Sequence, residues 1–352
     1  LGLTPPERRI GQSAHDFIMA LGAPQVVLTR ALKRDGSPTV ASRFLTRLEA
    51  LAGTTYMDCK QRGSSMAQIA AALDDASDPR ATLRPAPKPS LALRPKRLSV
   101  TRIEKLRRDP YAIYAEYILG LRALPSPGAK IGPRERGTAL HKVIECFVRR
   151  YPSGPLPELA RDEIIDMAQV ALADFLAQPD FETFEWPRIK AGLEHVIKFE
   201  HERRAVVRQI FIERHGEWRL KFSDGDEFCL TADADRIEID EAGRAYVIDY
   251  KTGAPPTGKQ INVGWSPQLT LEAAMVEAGA FADIGPHAVA SAAYVSLKDG
   301  GMTKWLDSVE KKAFADLVAT HRDELLKLLS QFHNADTPYL SRPYVFQQND
   351  TS

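Results

Sequence analysis

The 352-residue chain predicts an α/β architecture: a mixed central sheet flanked by helices, preceded by a mainly helical segment. Three observations carry that expectation. The first 75 residues hold apolar side chains at helical spacing. A proline-rich, basic stretch at 78–97 separates them from the rest. Beyond it, amphipathic helical stretches give way near residue 217 to three β-rich runs joined by Asp/Gly turns, and then to further helices and strands. Apolar content of 44% and charged content of 26% are ordinary for a globular chain, and the length allows two or three domains. Net charge is +1, from 47 basic and 46 acidic residues, so any affinity for nucleic acid must come from local patches. No run has the length of a membrane span and no signal-peptide pattern opens the chain, which starts at Leu1 and reads as a processed product or an excised piece. Cys59, Cys146 and Cys229 form no CxxC pair, which argues against a disulfide framework and a structural zinc or iron–sulfur centre, and for a reducing cytoplasm.

In chain order, helices are expected at 7–21, 42–51 and 64–73, with a short buried strand at 25–29. These belong to a first domain, 1–77. Residues 78–97 then read as a linker. Pro79, Pro85, Pro87, Pro89 and Pro95 favour extended polyproline conformation, while Arg80, Arg84, Lys88, Arg94, Lys96 and Arg97 have no acid between them. A solvated tether is one reading and a basic strap on DNA phosphates the other.

A second domain is expected over 98–335, with a tail at 336–352. Thr101 and Glu104 resemble a capping box, the Asp109-Pro110 step interrupts the helix it opens, and 111–121 continue helical and aromatic. After a Pro/Gly loop at 125–133, a helix over 136–148 turns Leu140, Val143, Ile144, Phe147 and Val148 to one side. Helices at 158–177 and 187–212 follow, then strands at 217–222, 227–239 and 244–251 joined by turns at 223–226 and 240–243. Ser266-Pro267 opens a helix with N-cap and N1 chemistry. A strand near 288–297, a Gly300-Gly301 turn, a short strand and a helix over 308–332 complete the fold.

The third of the joined strands ends in Asp249-Tyr250-Lys251, and side chains two apart on a strand share a face. A carboxylate that can hold a divalent cation then sits beside an ammonium that can orient a water. Taken alone, the tripeptide reads as a surface ion pair at a strand end, and its company is what gives it the metal-site reading. The preceding strand carries Asp233 and Asp235, and antiparallel pairing can bring either to Asp249; spacing does not choose between them. His141, four residues after Gly137, reads alone as a structural or solvent-facing histidine, and beside the acids as a nitrogen ligand. Glycine at 137 lets the helix start pass close to a backbone or a phosphate. Gln268, at a helix start, can bond the lysine or a DNA backbone.

In the order Gly137-x-x-x-His141, Ala-Asp-Ala-Asp235-Arg-Ile, Asp249-Tyr-Lys251-Thr-Gly, Gln268, the chain resembles the RecB-like branch of the PD-(D/E)XK nucleases over about 98–335. Within that branch it looks most like the carboxyl-terminal part of an AddB-type subunit of a double-strand break repair helicase–nuclease. The resemblance implies a restriction-endonuclease-like core and a Mg²⁺-dependent DNA exonuclease, Mn²⁺ also serving, that processes single strands. His141, Asp235, Asp249 and the backbone carbonyl of Tyr250 become metal ligands, Lys251 the catalytic lysine and Gln268 the glutamine of a QxxxY motif. DNA and an AddA-type helicase–nuclease subunit are the implied partners, with no membrane and a cytoplasmic, nucleoid-associated location. Gln25-Val-Val-Leu-Thr-Arg-Ala and Ser42-Arg-Phe-Leu make 1–77 resemble the end of a degenerate, inactive superfamily I helicase domain. Two departures stand out. Glu272 occupies the place of the motif's tyrosine. Asp109 stands where some relatives place a cysteine of an iron–sulfur staple, so no cluster is expected, and packing of the 308–332 helix is expected to hold the carboxyl end instead.

Gly253, Gly258 and Lys259 have the spacing of a phosphate-binding loop. Gln260 replaces its Ser/Thr and Pro255 and Pro256 remove amide donors, so no ATP is expected there, but a loop at the nuclease mouth with Lys259 near DNA. His195 and His201 read as surface residues. Glu213 reads as an ordinary charged residue or as an outer support of the site. Thr29-Arg30 has no phosphate loop to sense. The alternative function is a catalytically weak DNA-binding scaffold of the same complex.

Overall fold

The computed structural model describes residues 6–75, 83–124, 132–309 and 312–341. Most of the expected loop at 125–133, the first residues of the expected linker and the tail beyond 341 lie outside them. The chain divides into two compact units, Leu1–Thr82 and Leu83–Ser352.

In the first unit α1 spans Pro6–Leu21 and α2 spans Arg43–Asp74, the latter capped by Ser42 Oγ, which accepts from Phe44 N–H. The two helices expected at 42–51 and 64–73 are thus one run, bent at Gly53, whose φ of 48° favours glycine. Strands Lys33–Arg34 and Ser37–Pro38 form a small hairpin. The strand expected at 25–29 does not form, and Val26, Val27 and Leu28 are exposed. An extended segment needs a neighbouring strand for its backbone groups, and among the described residues none pairs with 25–29. Among the described residues of this unit no side chain is buried.

The second unit holds a mixed sheet flanked by helices. Its strands are β1 (Arg97–Ser99), β2 (Val207–Lys221), β3 (Glu227–Asp240), β4 (Ala245–Lys251), β5 (Val289–Ser296) and β6 (Met302–Trp305). β2 runs antiparallel along one whole edge of β3. The other edge is shared: β1 pairs in parallel with 229–231, and β4 pairs antiparallel with 236–239. Residues 232–235 lie in the gap between them. β5 joins β4 in parallel and β6 joins β5 antiparallel. β4 and β5 are mostly buried throughout, as parallel strands covered on both faces must be.

Six main helices cover the sheet: α3 (Val100–Arg108), α4 (Pro133–Arg150), α5 (Ala160–Ala171), α6 (Trp186–Arg204), α7 (Gln268–Glu277) and α8 (Phe314–Phe332). Ile103, Leu271 and Leu317, from α3, α7 and α8, share one core with Ile237 and Val247. Helices α4, α5 and α6 pack with Ile248, Tyr250 and Val295 in another. All five residues of the stripe expected on α4 are buried.

Several expected boundaries move. Helix α6 ends at Arg204 rather than 212, and β2 begins ten residues before its expected start. Val206-Val-Arg-Gln-Ile-Phe-Ile is β-branched and aromatic, and pairing with 236–240 decides its state. The cap of α3 is Ser99, whose Oγ accepts from Arg102 N–H, rather than Thr101. After Asp109 the chain makes a short helix, Pro110–Ile113, and a π-turn, Tyr114–Ile118. The helix expected at 158–177 breaks at Leu172. Helix α7 starts at Gln268 without a side-chain cap. Helix α8 starts at Phe314, because Ser308–Val309 and Lys312–Ala313 pair as a short hairpin. His195, expected at the surface, is half-buried and bonds Thr303 Oγ1 at 2.9 Å.

Residues 83–97 are not a free tether. Arg94 is 7% exposed and uses all five guanidinium N–H groups. Nε donates to the Pro89 carbonyl at 3.0 Å, Nη1 to Phe332 at 2.7 Å and Asn334 at 2.9 Å, and Nη2 to Ala335 at 2.8 Å and Thr337 at 3.1 Å. Tyr339 N–H donates to the Pro87 carbonyl at 2.9 Å, and the guanidinium lies 5.4 Å from the centre of the buried Tyr339 ring. The carboxyl end is therefore clasped by Arg94, not held by packing of α8 alone.

On the opposite side of the sheet Arg236 is fully buried. It bonds Glu200, Glu238 at 2.7 Å and the Tyr250 hydroxyl at 3.0 Å, tying α6 to β3 and β4. Gly192 brings α6 so near the end of β5 that an added Cβ would stand 2.4 Å from the Leu297 carbonyl oxygen. Gly192→Ala is expected to cost about 1–3 kcal/mol by overpacking, seen as a lower urea midpoint at unchanged m-value. No described helix is long and apolar enough to cross a membrane.

Candidate active site

β4 is laddered to β3 from Ala245 to Ile248, and then the two strands part. The N–H of Tyr250 is taken by Asp235 Oδ2 at 2.8 Å. His141 Nδ1, on α4, lies 3.5 Å from the same oxygen. Asp249 and Lys251 leave one face of β4, with Lys251 Nζ 2.9 Å from Asp249 Oδ1. Gln268, the first residue of α7, donates from Nε2 to Asp249 Oδ1 at 2.7 Å and accepts from Lys251 at 3.2 Å. Tyr294 is paired with Asp249 across β5, its ring centre 5.7 Å from Lys251 Nζ. His141, Asp235, Asp249, Tyr250, Lys251 and Gln268 thus stand together. Asp233 does not join them: it is exposed and bonds His215 Nδ1 at 2.6 Å. Gly137 serves a close approach, since a Cβ there would meet Thr252 Oγ1 at 3.2 Å.

Burial, and then the charge of Asp249, push the Asp235 carboxyl up to about 8, against the opposing Tyr250 N–H. Burial disfavours the Lys251 charge, but the Asp249 carboxylate outweighs it and raises the lysine above its ordinary value. Burial lowers His141 despite Asp249 and a hydrogen bond to the Tyr250 backbone, leaving a neutral imidazole able to serve as a ligand. Asp249 Oδ2 is buried without a hydrogen-bond donor, although Lys251 Nζ stands 2.8 Å away as an ion pair. Two carboxylates, a peptide carbonyl and a neutral imidazole are a donor set suited to Mg²⁺ or Mn²⁺. Among the described residues no three His, Cys, Asp or Glu side chains converge as ligands on one point, and Asp249 is turned onto Lys251 and Gln268.

The pH dependence has a definite sign. Asp235 titrates near 3.8 when unfolded and at about 8 when folded, so between these values the native state binds the extra proton. Stability of the metal-free protein is expected to fall as pH rises through that window. Asp235→Asn should flatten this slope in urea midpoints measured with chelator present; an unchanged slope would remove Asp235 as its source.

Four acids gain a place that spacing did not assign. Glu213 lies between the pairs Ile212–Arg236 and Arg214–Ala234, opposite Asp235, with a left-handed φ of 50°. Burial, then Glu145 and Asp233, raise its carboxyl. Glu145 sits one turn beyond His141 on α4, a spacing the sequence does display. Glu104, on α3, is raised by burial against its Arg108 partner and feels the Lys251 charge. Glu272 is buried one turn beyond Gln268 and accepts from its Nε2 at 3.2 Å. At the loop with phosphate-loop spacing, Gln260 closes a capping box with Thr257 at the start of helix Gly258–Asn262. Lys304 Nζ donates to the Pro256 carbonyl at 2.6 Å there. The loop is built as a helix cap.

Residues 97–344 match the PD-(D/E)XK nuclease superfamily, whose members are generally nucleases. The uncharacterized protein RC0550 of Rickettsia conorii is 30% identical over 275 residues, covering 74% of this chain and 30% of that protein. An uncharacterized protein of Rickettsia felis is 29% identical over 303 residues, covering 82% of this chain and 34% of its own length. The chain therefore spans about a third of the length of these relatives. The crystal structure of SSO0001 is 15% identical, with a TM-score of 0.23, over 54% of this chain and 74% of that one. The superfamily match takes in the whole sheet and every strand and helix that meets at Asp235, Asp249 and Lys251, and the chain belongs to the PD-(D/E)XK nuclease superfamily.

Proposed function

We propose that the chain is a metal-dependent deoxyribonuclease, an exonuclease that processes single strands as the nuclease part of an AddB-type subunit in double-strand break repair. The observation that carries the hydrolytic reading is the strand end where Asp235, Asp249 and Lys251 meet, with Lys251 Nζ 2.8 Å from Asp249 Oδ2. His141, Asp235, Asp249 and the Tyr250 carbonyl would hold Mg²⁺ or Mn²⁺. When bound, that ion neutralises charge at the phosphate and acidifies a water. The chain's own residues do the rest. Lys251, kept charged by Asp249, orients the attacking water and faces the charge that grows on the phosphate oxygens. Gln268 fixes Lys251 and Asp249 relative to one another, and the Tyr250 N–H fixes Asp235.

The motif order supports the AddB-type reading, and relatives about three times as long leave room for a helicase part. On that reading 1–77 end an inactive helicase-like domain and 98–335 are the nuclease domain. An AddA-type subunit is the partner, and the complex works in the cytoplasm at the nucleoid. A DNA-binding scaffold is the second reading, favoured by Asp249 being bonded to both Lys251 and Gln268. The test incubates the purified chain with end-labelled single-stranded DNA and Mg²⁺ or Mn²⁺. Metal-dependent release of label that stops with chelator is expected. Intact DNA, with no calorimetric metal binding that depends on Asp235 and Asp249, favours the scaffold.

A further inference from the structure

We propose that Glu272 is a positioning residue of this site: it fixes the side-chain amide of Gln268 and, through it, Lys251 and Asp249. The proposal rests on the hydrolytic reading above. Glu272 is 1% exposed, on a helix whose residues from Leu269 to Val276 are all buried. A carboxyl in such surroundings is costly unless it is bonded. Its partner is Gln268, four residues earlier on the same face of α7.

The three contacts of the Gln268 amide form one consistent set. Nε2 has two hydrogens, and they go to Asp249 Oδ1 at 2.7 Å and Glu272 Oε1 at 3.2 Å. Oε1 takes Lys251 Nζ at 3.2 Å. Turned over, the amide would set its oxygen against the Asp249 carboxylate and its NH₂ against an ammonium. In the orientation in which Gln268 holds the lysine, the acceptor at 272 takes the second amide hydrogen and tethers the side chain to its own helix. An apolar residue there would leave one amide hydrogen buried without a partner. The Gln268 side chain would then be held only by its bonds to Asp249 and Lys251.

Burial, and then the charges of Asp249 and Asp235, push Glu272 far above the usual carboxylate range. A neutral acid supplies a carbonyl acceptor without adding an anion beside Asp249. Glutamine has the same shape, is neutral and keeps that acceptor, so Glu272→Gln is the conservative replacement and Glu272→Leu the disruptive one.

The experiment compares wild type, E272Q and E272L in the full chain, each checked for a folded thermal transition. Cleavage of single-stranded DNA with Mn²⁺ should lose about tenfold or more in kcat in E272L at nearly unchanged KM, the mark of an interaction that acts in the transition state. E272Q should stay within about threefold of wild type. A second readout does not need activity: solvent exchange of the Gln268 side-chain NH₂ by ¹⁵N NMR, slow in wild type and E272Q, fast in E272L. If E272L does not fold, Glu272→Met replaces it with the same expected losses. Wild-type kcat together with slow exchange in E272L overturns the proposal, and so does E272Q falling as far as E272L. If wild type itself leaves DNA intact, the hydrolytic reading fails, and amide exchange alone decides whether Glu272 holds Gln268.

Discussion

Lys251→Ala is expected to lower the rate of DNA cleavage by about 10²–10⁴-fold, the range for removing a positioned acid–base or electrostatic group. The side chain is about a third exposed at the open end of β4, so the fold should survive its loss. Metal binding should move the other way. Lys251 now sits 2.8 Å from the buried Asp249 Oδ2, its partner in an ion pair. Removing the ammonium leaves that oxygen to a divalent cation, so Mn²⁺ affinity should hold or rise while cleavage collapses. Arginine should not rescue, since a planar guanidinium cannot take the place of a compact ammonium between Asp249 and Gln268. Single-turnover cleavage and calorimetry on the same preparation separate the two effects. Equal cleavage by wild type and variant would remove Lys251 from the chemistry.

Arg94→Ala is expected to destabilise the second unit by about 3 kcal/mol, since five backbone carbonyls lose a charged donor together. For a unit of this size that is a fall in Tm of about 6–12 °C. Water reaches part of the site, which keeps the loss below the sum of five separate bonds. Arg94→Lys should recover less than half, because three donors on a flexible stem replace five in a fixed fork. Trp186, Trp218, Trp265 and Trp305 all lie in the second unit, so tryptophan fluorescence reports its unfolding without signal from the first. An unchanged transition would mean that solvent satisfies the five carbonyls as well as Arg94 does.

What the sequence displayed was local and periodic. The stripe on α4 and the shared face of Asp249 and Lys251 follow from helix and strand repeats. The choice of Asp235 over Asp233 was not legible, because it depends on where β4 leaves β3. The same edge of β3 is shared with β1, which lies 132 residues before its partners in the chain, so how the edge is divided shows only in the folded sheet. The start of β2 was not legible for a related reason: 207–212 become strand through partners at 236–240. The converse holds at 25–29, where apolar, β-branched residues suggest a strand but no pairing partner stands among the described residues. Glu272 looked like a broken motif, because its single-letter identity does not show that it is buried and bonded to Gln268. Arg94 looked like part of a basic tether, because its five partners are carbonyls that carry no mark in a sequence.

The clasp at Arg94 also sets an order in time. It joins residue 94 to residues 332–337, and β1 waits for β3 in the same way. Contacts of such long separation close late and slow folding. A ribosome making this chain from its amino end releases Arg94 and β1 long before anything can hold them. The unit is therefore finished only when its last helix has emerged, and Arg94 is among the last residues to become fixed.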